Sequence, residues 1–413
     1  MTPQASRLLA HDNLHDAGLS RRFGNRFLLI GLAALAVGLG LGIADGDELR
    51  HFFHAYLVGY AFVLSVALGG MFFVLIQHLT NAHWSVTVRR LAEFTIVSLP
   101  WVGVLGLPLL YPLFTDAGLE EHGGLLWPWI QPLGEDAALV TKKVGWLNPG
   151  FFAVRMLGYF AVWGFMGTYF VRKSLQQDLT DSYEPTLKAK KWSALGMIVF
   201  ALSLTAAAFD LLMSLDPAWF STIFGVYFFS GSLIAIFSWL ILTALFMQRT
   251  GRLQHAITVD HYHDLGKFLF AFVFFWGYIA FSQYMLIWYA NIPEETLWFA
   301  HRQTEAWMPV SWLLVVGHFI IPFAALLSRH TKRRVMVLGF WAAYMLVMHW
   351  VDLYWLVMPA LDSQALHFGL CDVATSVGIV GLYVAGLCRI AGDRPLIPVN
   401  DPLLAECLAF KNV

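Results

Sequence analysis

The sequence predicts an all-α, polytopic membrane protein of about ten transmembrane helices with both termini cytoplasmic. Three observations lead there. The first is composition: of 413 residues, 58% are hydrophobic and only 13% charged, against about 25% charged in an ordinary soluble domain. The second is a series of apolar runs, each long enough to cross about 30 Å of hydrocarbon as a helix of about 20 residues. The third is a one-sided distribution of Lys and Arg among the connecting loops. The runs are too long and continuous for barrel strands, and lipid leaves helices as the alternative.

In chain order the runs fall near 24–43, 55–77, 92–111, 150–171, 192–214, 222–247, 267–290, 309–328, 335–358 and 367–390. The first follows Ser20-Arg21-Arg22-Phe23, which superficially resembles a twin-arginine export signal. With nine further spans downstream it reads instead as a start-in anchor whose arginines mark a cytoplasmic flank, residues 1–23. Glu93 opens the third run. A long loop, about 112–149, rich in Gly, Pro and Trp, leads to the fourth run, which contains Arg155. A polar link, 172–191, leads to the fifth, which carries Asp210 and ends near Asp216-Pro217. His261, His263, Asp264 and Lys267 precede or open the seventh, and the loop 291–308 leads to the eighth with His318. His349 and Asp352 lie in the ninth, Asp372 in the tenth, and 391–413 forms a cytoplasmic tail.

With the amino terminus cytoplasmic, the cytoplasmic segments hold 21 of the 26 basic residues, from Arg7, Arg21, Arg22 and Arg26 through to Arg389, Arg394 and Lys411. The other face holds Arg50, Lys142, Lys143 and Arg302, and Arg155 lies within a span. This is the positive-inside pattern of a bacterial inner-membrane, multi-pass protein. The outward loops crowd Trp and Tyr at span ends, as an interfacial belt does; they read either as helix caps or as a lid or docking surface.

Three cysteines, Cys371, Cys388 and Cys407, form no C-x-x-C or C-x-x-C-H motif. Attached haem c and Cys-ligated iron–sulfur clusters therefore belong on partners. No phosphate loop or nucleotide fingerprint is present, and a net charge of -1 argues against nucleic acid. The expected surroundings are membrane lipid.

A charge in mid-membrane costs about 2.5–3.5 kcal/mol on insertion scales, so the ionisable residues in the spans are the functional candidates. Alternation of the spans gathers them toward the outer leaflet. His349 and Asp352, three apart, share a helix face; a carboxylate beside an imidazole can pass protons near neutral pH, or simply tie helices together. Trp341, Tyr344 and Trp355 on the same span offer an aromatic wall suited to a quinone ring. Asp210, among small and apolar residues, reads as a proton relay or as a hydrogen bond to a neighbouring Ser or Tyr. Asp216 before Pro217 reads first as an N-cap. Glu93 reads as a proton gate or as an acid favouring a helix N-terminus. His263, Asp264 and Lys267 read as a proton mouth, with Gln283 and Tyr284 as later steps or as interhelical glue. No metal site is assigned: His261 and His263 are not one turn apart. His318 and His349 lack the two-on-each-helix pattern of a di-haem cytochrome b.

Several stretches resemble one family. They are Met213-Ser214-Leu215-Asp216-Pro217-Ala218-Trp219-Phe220-Ser221-Thr222-Ile223-Phe224-Gly225-Val226-Tyr227, His263-Asp264-Leu265-Gly266-Lys267, Phe281-Ser282-Gln283-Tyr284-Met285-Leu286-Ile287-Trp288-Tyr289-Ala290-Asn291-Ile292-Pro293-Glu294-Glu295, and Asp352-Leu353-Tyr354-Trp355. With the ten-span plan, the chain resembles the second polytopic membrane subunit of bacterial alternative complex III, of the polysulfide-reductase membrane-anchor superfamily. The resemblance implies two four-helix bundles plus flanking helices, with a transmembrane domain over 24–390 and bundles about 55–214 and 222–358. It implies a quinol:cytochrome c oxidoreductase complex, in which this chain has no covalent cofactor and quinol or menaquinol is the substrate. It implies a quinol-oxidising paralogous polytopic subunit as partner, with a periplasmic iron–sulfur subunit and multihaem cytochrome c subunits. The chain's expected role is a proton path and helix packing. A pure scaffold and a stand-alone transporter are the rivals, although paired mid-membrane breaks of the transporter kind are not evident.

Overall fold

Among the described residues of the computed structural model, ten helices are long and apolar enough to cross a membrane: α1 Leu19–Ala44, α2 Arg50–Thr80, α3 Val86–Leu113, α4 Pro149–Asp178, α5 Glu184–Leu215, α6 Phe224–Arg249, α7 Val259–Ala290, α8 Met308–Leu327, α9 Val335–Ala360 and α10 Leu370–Ala391. The structure describes residues 9, 12–15, 18–116, 123–132 and 136–412, and no β-strand occurs among them. Arg7 and parts of the 112–149 loop lie outside the described residues. The chain is a multi-pass integral membrane protein.

Two rings of four helices form the body. α2, α3, α4 and α5 pack in sequence and close through α5 against α2; α6, α7, α8 and α9 close in the same way through α9 against α6. The rings join where α2 packs on α6 and α9 and where α5 meets α6. α2 is apolar around its whole circumference and is buried almost throughout, as a helix without a polar face must be.

α1 and α10 form a flanking pair laid on α2. The buried residues of α1 are Gly24, Gly31, Gly38 and Gly42; the first three recur every seven residues on one face. A Cβ on Gly31 would lie 2.8 Å from the Leu382 backbone nitrogen, and one on Gly381 would lie 2.8 Å from Gly31 Cα. Small residues let these backbones touch, which is how helices associate when lipid removes the hydrophobic drive.

The helices begin earlier than the apolar runs suggest. α3 starts at Val86 and α5 at Glu184, because charged residues in the first turns are neutralised locally. Glu93 therefore sits two turns inside α3. The chain segments on either side of the bundle also sort cleanly. On one face Leu396 donates its N–H to Leu14 at 2.8 Å, Asp12 accepts from His255, and Asp401 pairs with Arg89, so the described ends of the chain share that face. On the other, His51 meets Asp372 and Lys143 donates to the Pro217 carbonyl at 2.6 Å.

Candidate proton-transfer site

α9 presents His349 and Asp352 toward the middle of the second ring, both 1% exposed. Ser65, the midpoint of α2 and roughly 22 Å from either helix end, reaches across the ring interface to them. Its hydroxyl donates to the Phe62 carbonyl at 2.7 Å, and it also lies 2.8 Å from His349 Nε2. A serine has one proton to give. The contact with His349 fits the tautomer in which imidazole Nε2–H donates to Ser65 Oγ and Nδ1 keeps a bare lone pair. Among the described residues Nδ1 has no hydrogen-bond partner.

Asp352 is held by two donors from two further helices. Tyr227 of α6 gives its hydroxyl proton to Oδ1 at 2.5 Å, and Trp276 of α7 gives its indole N–H to Oδ2 at 3.2 Å. Room for the imidazole comes from Gly231 of α6, where a Cβ would fall 3.0 Å from His349 Nδ1 and 3.9 Å from Asp352 Oδ2.

α8 supplies the last member. Its centre, Leu314–Ile320, is a π-helix, a form that occurs mostly as single turns at functional sites. The widened turn is supported from α9, where Tyr344 donates to the Gly317 carbonyl at 2.9 Å. It carries His318 against the Trp276 ring at 4.0 Å between centroids. His318 is fully buried, and neither ring nitrogen has a partner among the described residues. One ligating atom each from His318, His349 and Asp352 lies within 4.8 Å of the others.

Polar groups continue from this centre toward the face opposite the chain ends. Arg302, in the loop between α7 and α8, is 4% exposed. It donates to the carbonyls of Trp298, Trp355 and Leu356 at 2.9, 3.2 and 2.8 Å, and its guanidinium stacks 3.5 Å from the Trp298 ring centroid. Burial pushes its pKa down to about 9, with Asp216 and Tyr227 pulling it back, so it remains a cation at neutral pH. Asp216 and Tyr227 thus both lie within the electrostatic reach of Arg302. In the other direction α7 and an aromatic cluster are apolar, and α6 carries the buried hydroxyls of Ser232 and Ser238. From Phe268 to Trp276, α7 has no polar side chain before the Trp276 indole, and Phe72, Phe229, Phe237 and Phe272 pack edge to face and stacked below the site.

The remaining candidates are placed elsewhere. Asp210 is fully buried on α5, and its carboxylate accepts from Arg155 Nε and NH2 at 2.8 and 2.9 Å, Tyr159 Oη at 2.7 Å and Trp146 Nε1 at 2.9 Å. Four donors on one carboxylate make a saturated clamp between α4 and α5. Glu93 faces Arg90 at 2.8 Å and Arg89 at 3.4 Å, contacts whose angles make them ion pairs and not hydrogen bonds. Arg90 also pairs with Asp178 at 2.9 Å and Arg89 with Asp401, so this cluster fastens α4 and the carboxy-terminal tail to α3. Asp264 pairs with Lys267 and accepts from Asn412 at 2.5 Å, while His263 lies buried beside them; about 13 Å of aromatic helix separates Lys267 from Trp276.

Trp341 packs on Tyr344 at 5.4 Å, whereas Trp355 lies three turns further along α9, donates to Ser311 at 2.8 Å and meets the Trp298 ring at 5.4 Å. The three do not form a single wall. Gln283 accepts from Ser221 at 2.9 Å, and Asp372 caps its own helix through the Gly369 N–H at 2.8 Å. Ser65, Tyr227, Trp276 and Arg302 are residues around this centre that the sequence alone does not single out. Tyr227 is the last residue of the stretch that begins at Met213; Ser65 and Trp276 have no local signal. No protein-family model matches the chain, and no curated protein matches it.

Proposed function

We propose that this chain is a membrane subunit of a quinol:cytochrome c oxidoreductase complex of the alternative complex III type in the bacterial inner membrane, where it provides a proton half-path. The half-path runs from His349 and Asp352 at mid-depth, through Tyr227, to the Arg302–Asp216 end of the bundle. With the basic face cytoplasmic, that end is periplasmic. The observation that carries this reading is the buried centre itself: two imidazoles and a carboxylate gathered within 4.8 Å, with His349 Nδ1 and both His318 nitrogens unpartnered among the described residues. A membrane protein keeps such groups in its core at a cost, and proton relays are the common reason.

In this reading Asp210, with four donors on its carboxylate, and Glu93, paired with Arg89 and Arg90, serve packing. Quinol oxidation is left to the paralogous partner subunit. Tyr344 is occupied with Gly317 and Trp355 with Ser311, which argues against a quinone between them. Iron–sulfur and haem c centres sit on the periplasmic partners in this reading.

Affinity purification of the chain from its native membrane in mild detergent tests the assembly. Co-purifying c-type haem bands that are reduced on adding quinol are the expected outcome. A colourless, solitary chain with no dissociated partners in the flow-through contradicts it and brings the transporter reading forward.

A further inference from the structure

We infer that His318, His349 and Asp352 form a binding site for a single divalent transition-metal ion, with Zn2+ the ion that best suits two imidazoles and a carboxylate. The donor chemistry is that of known His/carboxylate sites. With the Ser65 proton on the Phe62 carbonyl, His349 Nε2–H donates to Ser65 and Nδ1 carries the lone pair. His318 is neither donor nor acceptor to any described group, so one of its nitrogens is free to ligate. Asp352 supplies an oxygen while Tyr227 and Trp276 orient it.

Each ligand but His318 thus has the outer hydrogen bond that fixes metal ligands in orientation. His318 is fixed by other means, between the π-turn and the Trp276 ring. A tetrahedral ion at bond lengths near 2.1 Å spaces its ligands about 3.4 Å apart, so the trio, now within 4.8 Å, closes by up to about 1.4 Å. Three protein ligands leave the fourth position for water. Such an ion takes the lone pair through which His349 would pass a proton, and so silences the half-path. This last consequence rests on the proposed function; the binding does not.

The test uses the purified full-length chain and Co2+, whose visible bands report coordination directly. One equivalent with tetrahedral-type bands is expected. They should vanish in His318→Leu, a replacement that orphans no hydrogen bond and so keeps the fold, and in Asp352→Asn. Ser65→Ala should weaken binding by roughly 10–100-fold, the usual effect of losing an outer partner. A second cluster, Asp45, His51 and Cys371, lies at the outer face, so His51→Asn should leave the bands intact. Absence of visible bands, bands that persist in His318→Leu, or a thiolate charge-transfer band lost in Cys371→Ser would each overturn the site. Zn2+ displacing Co2+ without slowing proton release would leave the site standing and count against the half-path alone.

Discussion

Ser65 Oγ sits 2.8 Å from His349 Nε2 while giving its own proton to Phe62. One serine on α2 thereby holds a ring nitrogen of a histidine on α9, across the junction of the two helical rings. Ser65→Ala removes that restraint. The expected loss is about 0.5–1.5 kcal/mol of stability, as for one ordinary hydrogen bond. Proton release should slow while Ser65→Thr, which keeps the hydroxyl, restores it. A thermal melt read beside vesicle pH traces measures both.

Asp210 and Arg155 make a buried, doubly hydrogen-bonded ion pair. Asp210→Asn leaves the guanidinium without its counter-charge, and breaking such a pair costs about 3–5 kcal/mol. Yield and melting temperature should fall, but complex that does assemble should keep its specific activity. A proton-release defect in fully assembled protein would return Asp210 to the relay.

His318 is buried with both ring nitrogens unpartnered. An unsatisfied buried polar group costs about 1–3 kcal/mol. In metal-free protein His318→Leu should therefore be neutral or stabilising in a thermal melt, unlike most core substitutions. A loss of stability above about 2 kcal/mol would mean that His318 has a partner that matters to the fold.

Gly31 and Gly40 lie on different faces of the same helix. A side chain on Gly31 strikes the α10 backbone, whereas Gly40 has nothing within 4 Å. Gly31→Leu should cost about 1–3 kcal/mol by overpacking and loosen α1 from α10. Gly40→Leu should have no such effect. Comparative melts, with protease access to the first loop, distinguish them.

The spans were legible because hydrocarbon demands about 20 apolar residues per helix, and the alternating basic loops fixed their parity. The helix starts were not, since residues such as Lys188 and Arg89 continue a helix beyond the apolar run. His349 and Asp352 could be paired from their spacing alone. Their partners could not: Ser65, Tyr227, Trp276 and His318 come from four other helices, and only packing brings them together. The π-turn that aims His318 inserts its extra residue without a compositional mark. Arg155 and Asp210 were each visible as costly charges, yet their mutual pairing depends on how α4 lies against α5. Arg302 read as a loop cation and proved to be buried.

The most direct measurement of the central claim is proton release per quinol oxidised, in vesicles reconstituted with the intact complex carrying Asp352→Asn. Asparagine keeps the shape and an acceptor for Tyr227 but cannot carry the proton. Quinol turnover with reduced or slowed proton release and unchanged assembly is the expected result. Wild-type release at wild-type turnover would contradict it and leave His349 and Asp352 as a buried tie between helices.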